Sequence, residues 1–221
     1  MGAVVEHPQP VASLLVASAI VVVLLGLTVA PFLSPAWYVA AQERAGVAER
    51  TGWPPSVVRG VTERLVGEVV LGPARFDVAV DGVPVLAERE RAHLRDVRAV
   101  LLRLGLVVLV AAAVVGVAKI RLAPVAFWTI AERTGIGVTV AVLAVAAVAA
   151  VAFDPLFELF HRLFFAPGTY TFDPSRERLV QLFPMALWFE TAMAAGLVLA
   201  ALGLGLALVA RQRRRVAEGR R

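Results

Sequence analysis

The chain has 221 residues, 59% of them hydrophobic, and a formal net charge of +5. It contains no cysteine, which excludes disulfides, thiolate nucleophiles and cysteine-ligated metals. The positive charge gathers in the C-terminal run RQRRRVAEGRR rather than over a broad basic surface, so no nucleic acid partner is expected. The apolar residues fall into four blocks, each near the roughly 20 residues that cross a bilayer.

Taken in order, 1–10 reads as a short cytoplasmic N-terminus with a solvated His7. The run 11–33 reads as the first span rather than a cleaved signal, because the residues before it carry no Lys or Arg. Pro31 and Pro35 end it, and Trp37 and Tyr38 suit an interfacial aromatic belt. The stretch 34–98 is polar and nearly neutral. Within it Val57, Val58, Val61, Leu65 and Val69 recur at helical spacing and predict an amphipathic helix. Phe76, Val78 and Val80, then Asp81-Gly82, then Val83 and Val85 predict a β-hairpin, since Asp-Gly supplies the positive φ of a type I′ turn. Such a hairpin must pack on something to be stable. The charged run Glu88–Arg98 is expected to continue as helix into the second span, 99–118.

A basic cytoplasmic loop is expected over 119–133, a Val/Ala-rich third span over 134–153, and an outer loop over 154–184. The fourth span, 185–209, then leads into a basic cytoplasmic tail, 210–221. The short basic loop and the arginine-rich tail lie on one side of such a chain, and the positive-inside bias makes that side cytoplasmic. The expected class is therefore mainly α. It is a polytopic plasma-membrane protein with four transmembrane helices and a small extracytoplasmic α/β-hairpin domain between spans one and two. Spans two and three lack charge at their centres, which argues against a transporter or channel.

This topology sets His93, about two turns before the second span, and His161, about two turns after the third, at similar depth on the outer face. Each has a carboxylate at helical spacing, Asp96 at i+3 from His93 and Glu158 at i−3 from His161, placed to fix a tautomer. Two imidazoles can remove and deliver protons near neutral pH. A histidine in a charged helix is also an ordinary surface residue, so depth and pairing carry this reading. Phe157, Phe160, Phe164 and Phe165, with Phe172 nearby, form an aromatic patch around His161. It reads as interfacial packing or as a wall for acyl chains. Glu190, the one acid within a span, is expected to pair with Arg103 or another outer arginine. Neither HExxH nor a compact ligand spacing is present, so no metal or cofactor is expected. No GxSxG elbow supports Ser175 as a nucleophile.

The two stretches ERERAHLRDV and FELFHRLFFAPGTYTFDPSRERLVQLFP resemble the signature regions of a bacterial four-span membrane family, that of the lipoprotein intramolecular transacylases. The FH-x-x-FF and FDP…LFP pieces are the more specific. The resemblance implies an intramolecular acyltransferase that moves the sn-2 acyl chain of a diacylglyceryl-Cys lipoprotein to the N-terminal amine, giving a lyso-form. It implies His93 and His161 as catalytic residues, membrane lipids and diacylglyceryl-modified lipoproteins as partners, and no covalent enzyme intermediate. Arg103, Arg95 or Arg162 would be available to an oxyanion. The alternative readings are a non-enzymatic membrane partner or assembly protein acting through 34–98, and a lipid hydrolase using water in place of the amine.

Overall fold

A computed structural model describes residues 10–220. His7, and with it the expectation for 1–9, lies outside the described residues, as does residue 221. Among the described residues, four helices are long and apolar enough to cross a membrane: Pro10–Leu33, Glu88–Arg121, Pro124–Ala149 and Met185–Glu218. The chain is thus a four-span membrane protein in which a two-stranded antiparallel sheet lies between the first two spans. The described residues divide into two compact units, one of residues 10–28, 104–147 and 196–220, the other of residues 29–103 and 148–195.

The first unit consists of parts of the four long helices. Helix α1 (Pro10–Val29) is followed by a 3₁₀ turn over Ala30–Leu33, where Pro31 removes a backbone donor. Val16, Ile20 and Leu24 of α1 cluster with Ala118, Phe127, Ile130, Ala131 and Ala210. Lipid gives helices no hydrophobic reason to associate, so close packing of small residues does that work. A Cβ built on Gly135 would lie 2.5 Å from the Gly203 carbonyl oxygen, and one on Gly203 would lie 2.7 Å from Thr139 Oγ1. These residues let two helix backbones touch. Large apolar side chains such as Leu106, Leu109, Val140 and Leu197 remain exposed, as lipid-facing positions should.

The second unit holds helices α2 (Pro35–Arg44), α3 (Val47–Thr51) and α4 (Pro55–Val70), the hairpin, and the first turns of α5 (Glu88–Arg121). The amphipathic helix expected from the valine spacing is α4, which buries Val58, Val61, Leu65 and Val66. Strands β1 (Ala79–Val80) and β2 (Val83–Pro84) pair with Val80 opposite Val83. Asp81 and Gly82 take φ of 50° and 77°, the two positive values a type I′ turn needs. The hairpin does not stand alone: Phe76, Val78, Val85 and Leu86 are buried in the core of this unit. Gln42 sits inside that core with both ends of its amide used. Its Nε2 donates to the Leu182 carbonyl at 2.8 Å, and its Oε1 accepts from Thr62 Oγ1 at 2.8 Å. Arg98 closes α4 by donating to the carbonyls of Glu68 and Val69, at 2.6 and 3.2 Å.

Several boundaries differ from the sequence reading. Helix α5 runs unbroken for 34 residues, as expected. The connection read as 119–133 is instead mostly helix, because α6 (Pro124–Ala149) starts at a proline, which its fixed φ favours at a first helical position. The outer loop 154–184 contains α7 (Phe153–Phe164) and a short α8 (Arg178–Leu182). Helix α9 (Met185–Glu218) continues through most of the basic tail, where Arg214 pairs with Glu132 of α6 at 2.9 Å.

Candidate active site

The first turns of α5 are highly charged, yet Glu90, His93 and Leu94 are buried. At i, i+3 and i+4 they form one stripe on the helix, which faces the second unit's core. Helix α7 is sharply amphipathic. Asp154, Glu158 and Arg162 follow at i, i+4 and i+8 along a polar stripe, while Leu159, Phe160, Leu163 and Phe164 form an exposed apolar face. His161 sits at the border of these two faces and is only 9% exposed.

The two histidines, 68 positions apart by their numbers, meet: His161 minus His93. Their ring centroids are 6.1 Å apart and the planes are inclined by 23°. Phe165 lies between them in the sense that it touches both, at 4.9 Å from His93 and 5.5 Å from His161. Phe157 packs on His161 at 4.3 Å, Tyr170 at 5.1 Å and Phe160 edge-on at 5.4 Å. Phe172 packs edge-on against His93 at 5.4 Å. Phe164 packs at a tilt on Phe160 at 4.9 Å, with no ring contact to either imidazole among the described residues.

The two rings are held differently. His161 Nδ1 lies 2.8 Å from the carbonyl oxygen of Phe157, one turn back on the same helix. A carbonyl only accepts, so Nδ1 carries the proton and, in the neutral ring, the lone pair falls on Nε2. His93 Nδ1 is buried with no hydrogen-bond partner. His93 lies outside the proposed span, 99–118. Burial pushes its pKa down to about 4, the neighbouring His161 adds to that, and Asp96 opposes it. His93 is therefore a neutral imidazole at pH 7.

The carboxylates expected to orient the rings do not. Asp96 is exposed. Glu158 accepts from Arg162 Nε at 2.9 Å and from the Tyr170 hydroxyl at 3.1 Å, and the Arg162 hydrogen bond holds its carboxyl below the usual carboxylate range. The Glu158 carboxylate is engaged by these two donors, and His161 Nδ1 bonds to the Phe157 carbonyl instead. Glu190 pairs with Arg44 of α2, whose Nε donates at 2.9 Å, and Arg103 is exposed. Four neighbours have no place in the sequence reading of the site: Tyr170, Arg89, Glu90 and the Phe157 main chain. Glu90 alone left a signal, as a glutamate in the third position of a helix that begins after a hairpin, where such side chains reach back to the cap.

Fold and site together define a four-span membrane protein with a stacked histidine pair walled by aromatic rings. The family model for the lipoprotein intramolecular transacylase Lit matches residues 13–188, and the chain belongs to this family. The membrane integral lipoprotein intramolecular transacylase Lit from Bacillus cereus, solved in meso, shares the fold. It has a TM-score of 0.75 at 18% identity, over 95% of each chain. Structures of that protein with a histidine-to-arginine and a histidine-to-alanine substitution match with TM-scores of 0.73 and 0.72. Both are 17% identical to this chain. They cover 96% and 94% of it, and 94% of their own length in each case. No curated protein matches in sequence.

Proposed function

We propose that this family member moves the sn-2 acyl chain of a diacylglyceryl-Cys lipoprotein to that lipoprotein's N-terminal amine, with His161 as general base and His93 as oxyanion donor. The observation that supports this most is the 6.1 Å stack of the two imidazoles, which puts two proton-handling groups within reach of one ester. The N-terminal amine is largely protonated at neutral pH and must reach its free form to attack. His161 Nε2, bare because Nδ1–H is engaged, takes a proton as the nitrogen bonds to the ester carbonyl carbon. The carbonyl oxygen gains charge and accepts the N–H of neutral His93. A neutral imidazole can serve as such a donor, and burial disfavours the charged form of a histidine. The carbon–oxygen bond to the glycerol then breaks, and the departing sn-2 alkoxide takes the proton from His161. An amide and a free hydroxyl result. Counted from the ammonium form one proton goes to solvent as the amine is freed, and counted from the free amine the step has no net proton change. Donor and acceptor are on one molecule, so proximity is built into the substrate and no acyl-enzyme is required.

In this reading both termini are cytoplasmic, the spans run near 11–33, 99–118, 134–153 and 185–209, and the histidines lie at the outer face. The exposed apolar face of α7 supports that depth, since an amphipathic helix of this kind lies along the headgroup boundary, where glycerol esters are found. Phe157, Phe160 and Phe165 line the acyl chain. Mass spectrometry of a lipoprotein N-terminal peptide, from cells expressing this chain, tests the proposal. An N-acyl, monoacylglyceryl peptide is expected. A free-amine diacylglyceryl peptide despite good expression sinks it, and free fatty acid without N-acylation points to a hydrolase instead.

A further inference from the structure

One buried charge has no part in this chemistry. Glu90 is 2% exposed, one turn before His93 on α5. Its two carboxylate oxygens are used by two different segments. Oε2 accepts from the Ala87 N–H at 2.7 Å, closing the start of α5, and Oε1 accepts from the Leu179 N–H at 2.7 Å, 89 positions away at the start of α8. The adjacent Arg89 makes the same connection from outside. It donates to the Thr171 carbonyl at 2.6 Å, pairs with Glu177 at 3.0 Å, and lies 4.9 Å over the ring of Phe172. The residues between these anchors and α7 include Phe165 and Phe172, the two rings packed on His93.

We propose that Glu90 is a positioning residue: by bonding the Ala87 and Leu179 amides at once, it holds the 165–184 segment on α5 and keeps the aromatic cover over His93. Only a carboxylate can do this. Two N–H donors need two acceptors on one side chain, and an amide in its place would turn an NH₂ toward one of them. In a site closed to water no solvent replaces the lost bond. With the cover loosened, His93 meets water and titrates like an ordinary histidine. The inference rests on the histidine-pair reading for its effect on rate, but not for its effect on His93 itself.

The test is a pH titration of ¹⁵N-labelled histidines by NMR on the full chain in detergent micelles, run beside acyl transfer on a synthetic diacylglyceryl-Cys peptide. The groups facing His93 are His161 from α7, Asp96 from its own helix, and the rings of Phe165 and Phe172. Glu90→Gln is expected to move the His93 titration from about 4 toward the ordinary 6.5. It should lower the turnover rate at least tenfold, with helicity by circular dichroism unchanged. Arg89→Ala, on an exposed side chain, moves both in the same direction by less, and decides the matter should Glu90→Gln not fold. An unmoved His93 titration in the folded variants overturns the proposal. A moved titration in the variant, with no acyl transfer even by the unsubstituted chain, upholds the positioning role and removes the transacylase reading.

Discussion

His93 and His161 are the same residue type, 6.1 Å apart, in opposite circumstances. His161 rides on a half-exposed amphipathic helix, and its Nδ1 is tied to a main-chain carbonyl of that helix. His93 is sealed on the inner face of a charged helix, its Nδ1 untied. One imidazole is oriented by a hydrogen bond and the other by packing. A hydrogen bond fixes which nitrogen holds the proton, so it suits a base. Packing fixes position and keeps charge away, so it suits a neutral donor.

The largest test of this contrast is substitution by glutamine, which keeps an N–H donor and loses the base. His161→Gln is expected to be as damaging as His161→Ala, about 10²- to 10⁴-fold in rate. His93→Gln should recover roughly tenfold over His93→Ala, as an amide can replace an oxyanion donor. Initial rates of N-acyl peptide formation measure both, and equal behaviour of the two glutamine variants would erase the distinction.

A smaller effect concerns stability. The His93 pKa is about 4 folded against 6.5 unfolded, so between those values the unfolded chain binds more protons. Above pH 6.5 the group contributes nothing. As pH falls from 6.5 to 4 it destabilises the fold, by up to about 3 kcal/mol. Thermal melts in detergent should show this slope, and His93→Gln should flatten it, whereas His161→Gln should leave the larger part, which comes from burial, and remove the smaller part that His161 adds.

The smallest effect is expected at Glu158. Glu158→Gln breaks the Arg162 pair, which is exposed on both sides, and leaves the Phe157 carbonyl where it is. A change in rate within about threefold is expected. A loss of a hundredfold would mean the carboxylate orients His161 after all.

What the sequence disclosed and what it withheld divide along physical lines. The spans, the α4 stripe and the Asp81-Gly82 turn are local patterns, and local patterns are written in consecutive residues. That the two histidines would lie close together was expected from topology alone, and their rings are 6.1 Å apart. The orientation of His161 was not expected, because its partner is a main-chain oxygen, and main-chain oxygens carry no letter in a sequence. Glu90 showed only its capping half: among Glu88, Arg89, Arg91 and Arg95 it looks like one more charge at a helix start, and the bond from the Leu179 N–H, far along the chain, carries no local pattern. Helix α6 starts ten residues before the span expected at 134, at Pro124, within a stretch where Phe127, Trp128 and Arg133 look interfacial.

The tie between His161 and Phe157 has a bearing on how such a site drifts. A partner supplied by a side chain is lost to a single codon change. A partner supplied by the backbone survives any substitution that leaves α7 helical, so position 157 can exchange its ring and position 158 its charge while the proton on Nδ1 stays put. Lineages with very different base composition could rewrite the surface of this helix and still inherit the same tautomer.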